Sequence, residues 1–289
     1  MEKRFLPAMM MAQEELDFQL SPSLSAKDAQ DSLTGMVTRT VTASKDPSLT
    51  FRADVAYGPD ARQRFDVFSP SAPGAPARPC LVFLHGGFWQ EGDKSVSGFA
   101  AQTFAALGWA CVSVGYTLTP QATLTEIVTE VSTALHHIHT HAGDLGIDPE
   151  RIVLAGHSAG AHLAACILTN ATGSGCHTML AGAVLISGVY ELAPIARSYV
   201  NDLARISEHE VTTLSPARLM PGTQMPVHLL IGADEPEAFQ LQTDVLADVW
   251  RPAAPRLSVH RASGRDHFDV LEELNTAGSP TLERIQMMI

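Results

Sequence analysis

The fold of this chain is decided by residues 151–160, which read RIVLAGHSAG. A mainly apolar, β-branched run leads into the pattern G-x-S-x-G at residues 156–160, and small residues that favour a helix follow as far as Leu168. The pattern predicts a buried strand that turns sharply into a helix, with Ser158 in a strained backbone conformation at the turn. Strand and helix nearly touch there, so a Cβ at Gly156 or Gly160 would collide. A serine presented in this way is a candidate nucleophile.

Composition and charge limit the classes of function. The 289 residues are 45% hydrophobic and 17% charged, which suits a single globular domain over residues 1–289. The net charge of -12 argues against a nucleic-acid partner, because phosphate binding needs a basic surface. No apolar stretch approaches the length of a membrane span, and the short run over residues 5–12 does not have the form of a signal peptide. We therefore expect a cytoplasmic enzyme without a membrane partner.

The cysteines and histidines do not predict a metal site. The four cysteines, Cys80, Cys111, Cys166 and Cys176, lack the C-x-x-C spacing of zinc sites, and no disulfide framework is expected. Four histidines fall between residues 136 and 141 without an acidic or cysteine ligand at useful spacing. A solvated helix end is the better interpretation of that cluster. We expect neither a metal nor an organic cofactor.

Strands and helices alternate along most of the chain. Two alternating runs, residues 50–57 and 63–68, flank a turn and predict an antiparallel hairpin. Buried strands are then predicted over residues 81–85, 109–116, 151–155, 180–186, 226–232 and 257–261, and helices over residues 98–107, 124–141 and 237–250. This order predicts right-handed crossovers and an α/β fold with a mostly parallel central sheet flanked by helices.

Two segments depart from the alternation. Residues 1–48 are predicted to be an irregular lead-in with one short helix from Ala26 to Thr38, able to pack over the core or to form one wall of a pocket. Residues 187–224 are long for a connection between two strands, so we expect a small cap insert over the site.

The partners of a nucleophilic serine can be sought after later strands. In α/β-hydrolases the order is Ser, then Asp or Glu, then His, with each residue on a loop that follows a strand. Asp234 follows the strand over residues 226–232, and His267 follows the last strand. We assign Asp234 as the carboxylate that orients the imidazole and His267 as general base and then acid. Asp234 as a plain helix cap, Glu235 or Glu237 in its place, and a surface role for His267 remain alternatives.

The pattern His85-Gly86-Gly87-Phe88-Trp89 predicts an oxyanion hole. In such hydrolases the loop after this strand supplies backbone N–H groups to the developing anion, and the residue after the nucleophile supplies another. The expected donors are the amides of Gly87, Phe88 and Ala159. We expect His85 to hold the loop by hydrogen bonds rather than to take part in the chemistry.

Several stretches together resemble one branch of the α/β-hydrolases, the arylformamidases or kynurenine formamidases. The sequence HGGFW at residues 85–89 is similar to the HGGxW motif of that branch and differs from the HGGG motif of lipase-type esterases. Family-like stretches also occur over residues 55–68, 187–195 and 266–274, and the resemblance spans roughly residues 50 to 275. It implies an α/β-hydrolase fold and hydrolysis of an N-formyl aryl amide, N-formylkynurenine, through a formyl ester on the serine, without a cofactor.

The identity of the substrate is left open by the sequence. The expected substrate is a small-molecule aryl amide or ester, with Trp89 and Tyr190 as candidate substrate-binding residues beside Tyr199. Because Phe88 and Trp89 stand where lipase-type relatives have a smaller residue, we predict a narrow acyl side that accepts formyl or acetyl groups. A general short-chain carboxylesterase is the alternative, and a binding module on a hydrolase fold is disfavoured by the three triad candidates. Composition leaves a homodimer and a monomer both open.

Overall fold

The computed structural model describes residues 11–72 and 76–289. Its strands are β1 (Leu49–Ala56), β2 (Arg64–Pro70), β3 (Arg78–Leu84), β4 (Ala110–Val114), β5 (Ile147–His157), β6 (Gly182–Ile186), β7 (Val227–Gly232) and β8 (Leu257–Ala262). The helices of the first half are α1 (Gln13–Gln19), α2 (Pro22–Ser25), α3 (Ala29–Lys45), α4 (Ala101–Ala106), α5 (Leu124–Thr140) and α6 (Ala142–Leu145). Those of the second half are α7 (Ala159–Leu168), α8 (Leu192–Arg197), α9 (Asn201–Ala204), α10 (Glu208–Thr213), α11 (Glu237–Trp250) and α12 (Pro280–Gln286).

The strands form one sheet in the order β1-β2-β4-β3-β5-β6-β7-β8. The pairings β1·β2 and β2·β4 are antiparallel, and all pairings from β4 to β8 are parallel. The central strands are apolar on both faces: Val82 and Leu154 belong to one buried cluster, and Leu81 and Val153 belong to the cluster on the other face. Helices cover both clusters, so the predicted hairpin and the mostly parallel, helix-flanked sheet of an α/β-hydrolase are confirmed.

The topology brings the candidate residues to one edge of the sheet. Strands β5, β7 and β8 run parallel, so their carboxyl ends point the same way. The loops that follow them carry Ser158, the pair Asp234-Glu235 and His267. In open α/β sheets, ligands bind outside the carboxyl ends of the strands.

The lead-in differs from the prediction of an irregular segment. Its described part, residues 11–48, contains the helices α1, α2 and α3. Helix α3 starts three residues after the predicted Ala26 and continues to Lys45, seven residues beyond Thr38, and Asp28 caps its N-terminus by accepting the amide of Asp31. The helix was hard to predict because threonines and serines interrupt its apolar period. The first ten residues lie outside the described part of the chain.

The segment 187–224 folds into the short helices α8, α9 and α10 and a 3₁₀ turn at Pro216–Arg218. Glu191 and Arg218 form an ion pair that closes it, with the carboxylate almost fully buried. Among the described residues of this segment, Tyr199 lines the cavity that also contains Ser158. That the segment forms a cap over the site stays a prediction.

Candidate active site

Ser158 occupies a strained turn between β5 and α7. Its backbone torsions are φ 54° and ψ −118°, a conformation that costs on the order of 1–3 kcal/mol for a residue with a side chain. A hydrogen bond from the amide of Ser158 to the carbonyl of Ile186, 2.8 Å long, stabilises this turn. The glycines on either side are required by space: a Cβ on Gly160 would lie 2.1 Å from the carbonyl oxygen of Leu84, and one on Gly156 would lie 2.3 Å from that of Gly160.

His267 is paired with a buried carboxylate. Its Nδ1 lies 2.7 Å from Oε2 of Glu235, and the two side chains are 3% and 0% exposed. The other oxygen of Glu235 accepts from the Ser187 hydroxyl at 2.5 Å and from the Gly232 amide at 2.8 Å. With Oε1 occupied by two donors, Oε2 fixes the proton of His267 on Nδ1 and leaves Nε2 as the acceptor nitrogen.

The structure therefore corrects the assignment of Asp234 as the orienting carboxylate. Asp234 turns outward, with a side chain 45% exposed and in an ion pair with Lys27. Its amide donates to the carbonyl of Arg265 at 2.9 Å. Glu235, the alternative in the next position, is the residue that reaches the imidazole. Local sequence does not distinguish the two acids. The deciding contacts come from Gly232, at the end of β7, and from Ser187, which follows the neighbouring strand β6.

His157 holds the backbone of the loop after β8 that carries His267, here called the histidine loop. Its Nε2 lies 2.8 Å from the carbonyl oxygen of His267, and the two rings are 4.7 Å apart. Burial, together with the nearby imidazole of His267, lowers the pKa of His157 to about 3. The ring is therefore neutral and donates Nε2–H to that carbonyl. The ring of Phe239 packs against His267 from another direction at 4.5 Å.

The predicted oxyanion loop bends through three consecutive residues with positive φ. The values are 107° at Gly87, 46° at Phe88 and 61° at Trp89. A Cβ on Gly87 would lie 2.3 Å from the carbonyl oxygen of Glu91, so only glycine fits there. Within residues 11–72 and 76–289, the amides of Gly87, Phe88 and Ala159 donate no hydrogen bond to protein. All three are thus available to an anion, and that of Ala159 begins the helix α7.

His85 supports the oxyanion loop from below. Its Nδ1 lies 2.8 Å from the carbonyl of Gly86, and its ring stacks on Tyr116 at 4.1 Å. The hydroxyl of Tyr116 donates to the carbonyl of His85 at 2.7 Å. Burial lowers the pKa of His85 to about 4, so the ring is neutral at physiological pH. These contacts agree with the supporting role expected from the sequence.

Ser158 and His267 line the same cavity, which has a volume of about 740 Å³. One side is formed by residues 22–37, here called the N-terminal wall, which contributes Leu33, Met36 and Val37 among others. The turn at Ser158, here called the elbow, the oxyanion loop, the histidine loop and the insert also contribute. The remaining lining residues are Phe83, His85, Gly86, Gly87, Phe88, Glu91, Gly92, Val96, Ser97, His157, Tyr199, Phe268 and Leu271.

The predicted substrate-binding roles of Trp89 and Tyr190 are not supported by this arrangement. Both side chains are fully buried in the core, and neither lines the cavity. The backbone turn at Trp89 sends the indole against the imidazole of His162, with the rings 4.9 Å apart. Tyr199, the other tyrosine of the insert, lines the cavity and is 44% exposed.

Comparison with known proteins identifies the family. The chain is 30% identical over 285 residues to the kynurenine formamidase of Salmo salar, an alignment that covers 91% of this chain and 92% of the relative. It is 29% identical over 278 residues to the kynurenine formamidase of Danio rerio, with the same two coverages. This chain belongs to the kynurenine formamidase family. A family model described as BD-FAE also matches residues 65–185.

Solved structures agree with the α/β-hydrolase fold. A candidate thioesterase from Silicibacter sp. superposes with a TM-score of 0.82 at 28% identity, covering 94% of this chain and 99% of that one. Esterase B from Lactobacillus rhamnosis, inhibited by a tributyrin phosphonate, gives 0.70 at 19% identity, covering 90% and 92%, and so supports the fold alone. As a member of the formamidase family, the protein is a hydrolase of the serine esterase type that acts on esters or amides.

In the part of the chain that the structure covers, no three His, Cys, Asp or Glu side chains are grouped so that they could hold a metal ion. Across the same residues, no helix combines the length and apolar character needed to cross a membrane.

Proposed function

We propose that the protein hydrolyses aryl amides or esters of small acyl groups, with N-formylkynurenine as the leading candidate, through an acyl-enzyme on Ser158. The observation that carries this proposal is the buried pair of His267 and Glu235 at the cavity that Ser158 lines. Glu235 takes the role of orienting carboxylate that the sequence suggested for Asp234.

The first half-reaction forms the acyl-enzyme. His267 Nε2 accepts the proton of Ser158 Oγ while the oxygen attacks the carbonyl carbon of the substrate. The negative charge that develops on the carbonyl oxygen is stabilised by the amides of Gly87, Phe88 and Ala159, each worth about 2.7–4 kcal/mol in comparable hydrolases. The bond to the leaving nitrogen or oxygen then breaks, and His267 returns the proton to that atom.

The second half-reaction releases the acid. A water molecule loses a proton to His267 Nε2 and attacks the acyl carbon, and the ester bond to Ser158 breaks as the proton passes to Oγ. Throughout both halves, Glu235 stabilises the charged imidazole and keeps its Nδ1 protonated. For a formyl substrate the products are formate and the free aryl amine.

The residues that line the cavity support a small acyl group and a large leaving group. Phe88, beside the oxyanion amides, and the N-terminal wall both line it, and we propose that Phe88 limits the acyl side while the wall borders the leaving group. An aryl leaving group fits the apolar side chains of Leu33, Met36 and Val37. The relatives named kynurenine formamidase support N-formylkynurenine as the amide that meets this description.

A general short-chain carboxylesterase is the second candidate, because the neighbours in structure include esterases such as esterase B of Lactobacillus rhamnosis. The deciding experiment is a comparison of kcat/KM for N-formylkynurenine, formanilide, acetanilide and phenyl acetate. A preference for the formyl amides supports the formamidase, whereas turnover of phenyl acetate alone supports the esterase.

The nucleophile is tested in the same assay with Ser158→Ala. We expect kcat to fall by roughly 10⁴–10⁶, because the members of a triad act as a unit. Activity near that of the wild type would overturn the assignment of Ser158.

A further inference from the structure

Lys27 connects the N-terminal wall to both loops of the catalytic pair. Its amide donates to Asp266 Oδ2 at 2.9 Å. Its Nζ donates to Asp234 Oδ2 at 2.9 Å and to the carbonyl of Gly264 at 2.7 Å. The hydrogen bond to Asp234 raises the pKa of Lys27, so the ammonium is charged at any physiological pH.

Two of the partners of Lys27 are the immediate neighbours of the catalytic base His267 and of its orienting carboxylate Glu235. Asp234 precedes Glu235, and Asp266 precedes His267. The two loops also touch each other, since a Cβ on Gly232 would lie 2.3 Å from the carbonyl oxygen of Arg265. A shift of the Asp234 or Asp266 backbone would therefore displace Glu235 or His267, which is the next residue in each loop.

Lys27 is at the same time part of the surface that faces the substrate. It lines the cavity together with the wall residues Ala26, Gln30 and Leu33. Further along α3, Arg39 forms a second attachment, an ion pair with Glu272 at 2.6 Å. Between these two attachments, the wall has partly exposed apolar side chains at Leu33 and Val37.

We infer that Lys27 and Asp234 are positioning residues that hold the N-terminal wall against the catalytic loops and thereby determine how well large leaving groups are bound. This inference rests on the proposed function. It gives Asp234 a role in selecting the substrate instead of in orienting the imidazole. A small leaving group stays near Ser158 and Phe88 and does not need the wall, whereas a larger one contacts it.

The experiment compares phenyl acetate with 2-naphthyl acetate, which share an acyl group, carry no charge and differ in the size of the leaving group. We expect Lys27→Met and Asp234→Asn each to raise KM for 2-naphthyl acetate about threefold to tenfold, and to leave kcat and KM for phenyl acetate within about twofold, as for the loss of a partly exposed ion pair. Lys27→Arg, which keeps the charge and the donors, should restore binding. The double variant Lys27→Met/Asp234→Asn should match Lys27→Met, because the two substitutions remove the same ion pair and their effects do not add.

Salt provides a second readout. The Lys27 and Asp234 side chains are 61% and 45% exposed, so their attraction is screened as ionic strength rises. Added sodium chloride should move the wild-type KM for 2-naphthyl acetate toward that of Lys27→Met and leave the variant unchanged. Asp244→Asn is the matched control, because Asp244 forms an ion pair of similar exposure with Arg261 on another surface.

Equal effects on the two esters, or an equal effect of Asp244→Asn, would overturn the inference. Amide hydrogen exchange over residues 22–37 separates it from the proposed function. Faster exchange in Lys27→Met and Asp234→Asn than in Asp244→Asn supports the link whatever the substrate proves to be, and identical exchange refutes it. Failure of the wild type to hydrolyse any ester or formanilide would instead contradict the proposed function.

Discussion

Replacing Glu235 by glutamine tests the central feature of the site with almost no change of shape. Oε1 of Glu235 accepts from both Ser187 and Gly232, so the amide oxygen of the new side chain must take that position. Its NH₂ group then faces Nδ1 of His267, where Oε2 stood at 2.7 Å. Because an NH₂ group only donates, Nδ1 must become the acceptor, and the ring proton moves to Nε2.

The expected loss of kcat follows from the change of tautomer at His267. An imidazole protonated on Nε2 cannot take the proton of Ser158, and the charged imidazolium loses its carboxylate partner. In serine proteases the equivalent change lowers kcat by about 10⁴, which at 1.36 kcal/mol for each factor of ten corresponds to about 5.4 kcal/mol of activation free energy. The fold should survive, since the shape and both hydrogen bonds at Oε1 are kept.

The assay is kcat for phenyl acetate near pH 8, with thermal unfolding to verify the fold. Asp234→Asn is the matched control, because it makes the same chemical change one residue earlier on a side chain that is 45% exposed and paired with Lys27 instead of the imidazole. We expect Glu235→Gln to lose about four orders of magnitude and Asp234→Asn to stay within about twofold.

The reverse outcome would refute the reasoning. If Asp234→Asn lost a thousandfold or more while a folded Glu235→Gln retained most of the activity, the carboxylate on the imidazole would be that of Asp234 in the working enzyme. A similar loss in both variants would mean that the loop after β7 acts as a unit and that the two acids cannot be assigned separate roles.

Three further predictions concern packing, acyl size and pH. Gly160→Ala should lower the melting temperature by more than about 10 °C, because its Cβ would lie 2.1 Å from the Leu84 carbonyl, whereas Gly143→Ala, with open space around it, should be neutral; equal stabilities would refute this. Phe88→Gly should raise the activity on octanoyl relative to acetyl aryl esters at least tenfold, and equal use of both esters by the wild type would exclude the narrow acyl side. Burial lowers the pKa of His157 to about 3 and that of His162 to about 4, below the unfolded value near 6.5. The unfolded chain then binds protons first, so each histidine should remove up to about 1.4 kcal/mol of unfolding free energy per pH unit as the pH falls from about 6.5 to 4, and a flat denaturation profile would contradict the neutral rings.

The sheet and the elbow were predictable from sequence because their signals are local. Continuous apolar runs mark strands that are buried on both faces, and the glycines around Ser158 report a close approach that only they allow. Parallel pairing then places the ends of β5, β7 and β8 side by side, which is why His267 could be selected over a hundred residues away from Ser158.

The choice between neighbouring residues was not predictable. Asp234 and Glu235 both follow β7. Glu235 is the one that faces inward, where it accepts from Ser187 and Gly232, whereas the amide of Asp234 donates to the carbonyl of Arg265. Trp89 was placed at the substrate by its position in the chain, but the positive φ at that residue directs its side chain to the core. Each error concerns the direction of a side chain at a turn, which tertiary contacts decide.

The strain at Ser158 persists because the residue belongs to a closed circuit of hydrogen bonds. The Ser158 amide donates to Ile186, and the next residue, Ser187, itself at φ 50°, donates its hydroxyl to Glu235. Glu235 accepts from His267, whose carbonyl accepts from His157, the residue before Ser158. A relaxation of any one turn would have to break a bond elsewhere in the circuit. The geometry that presents the nucleophile is therefore maintained by the same circuit of contacts that includes the carboxylate and the base.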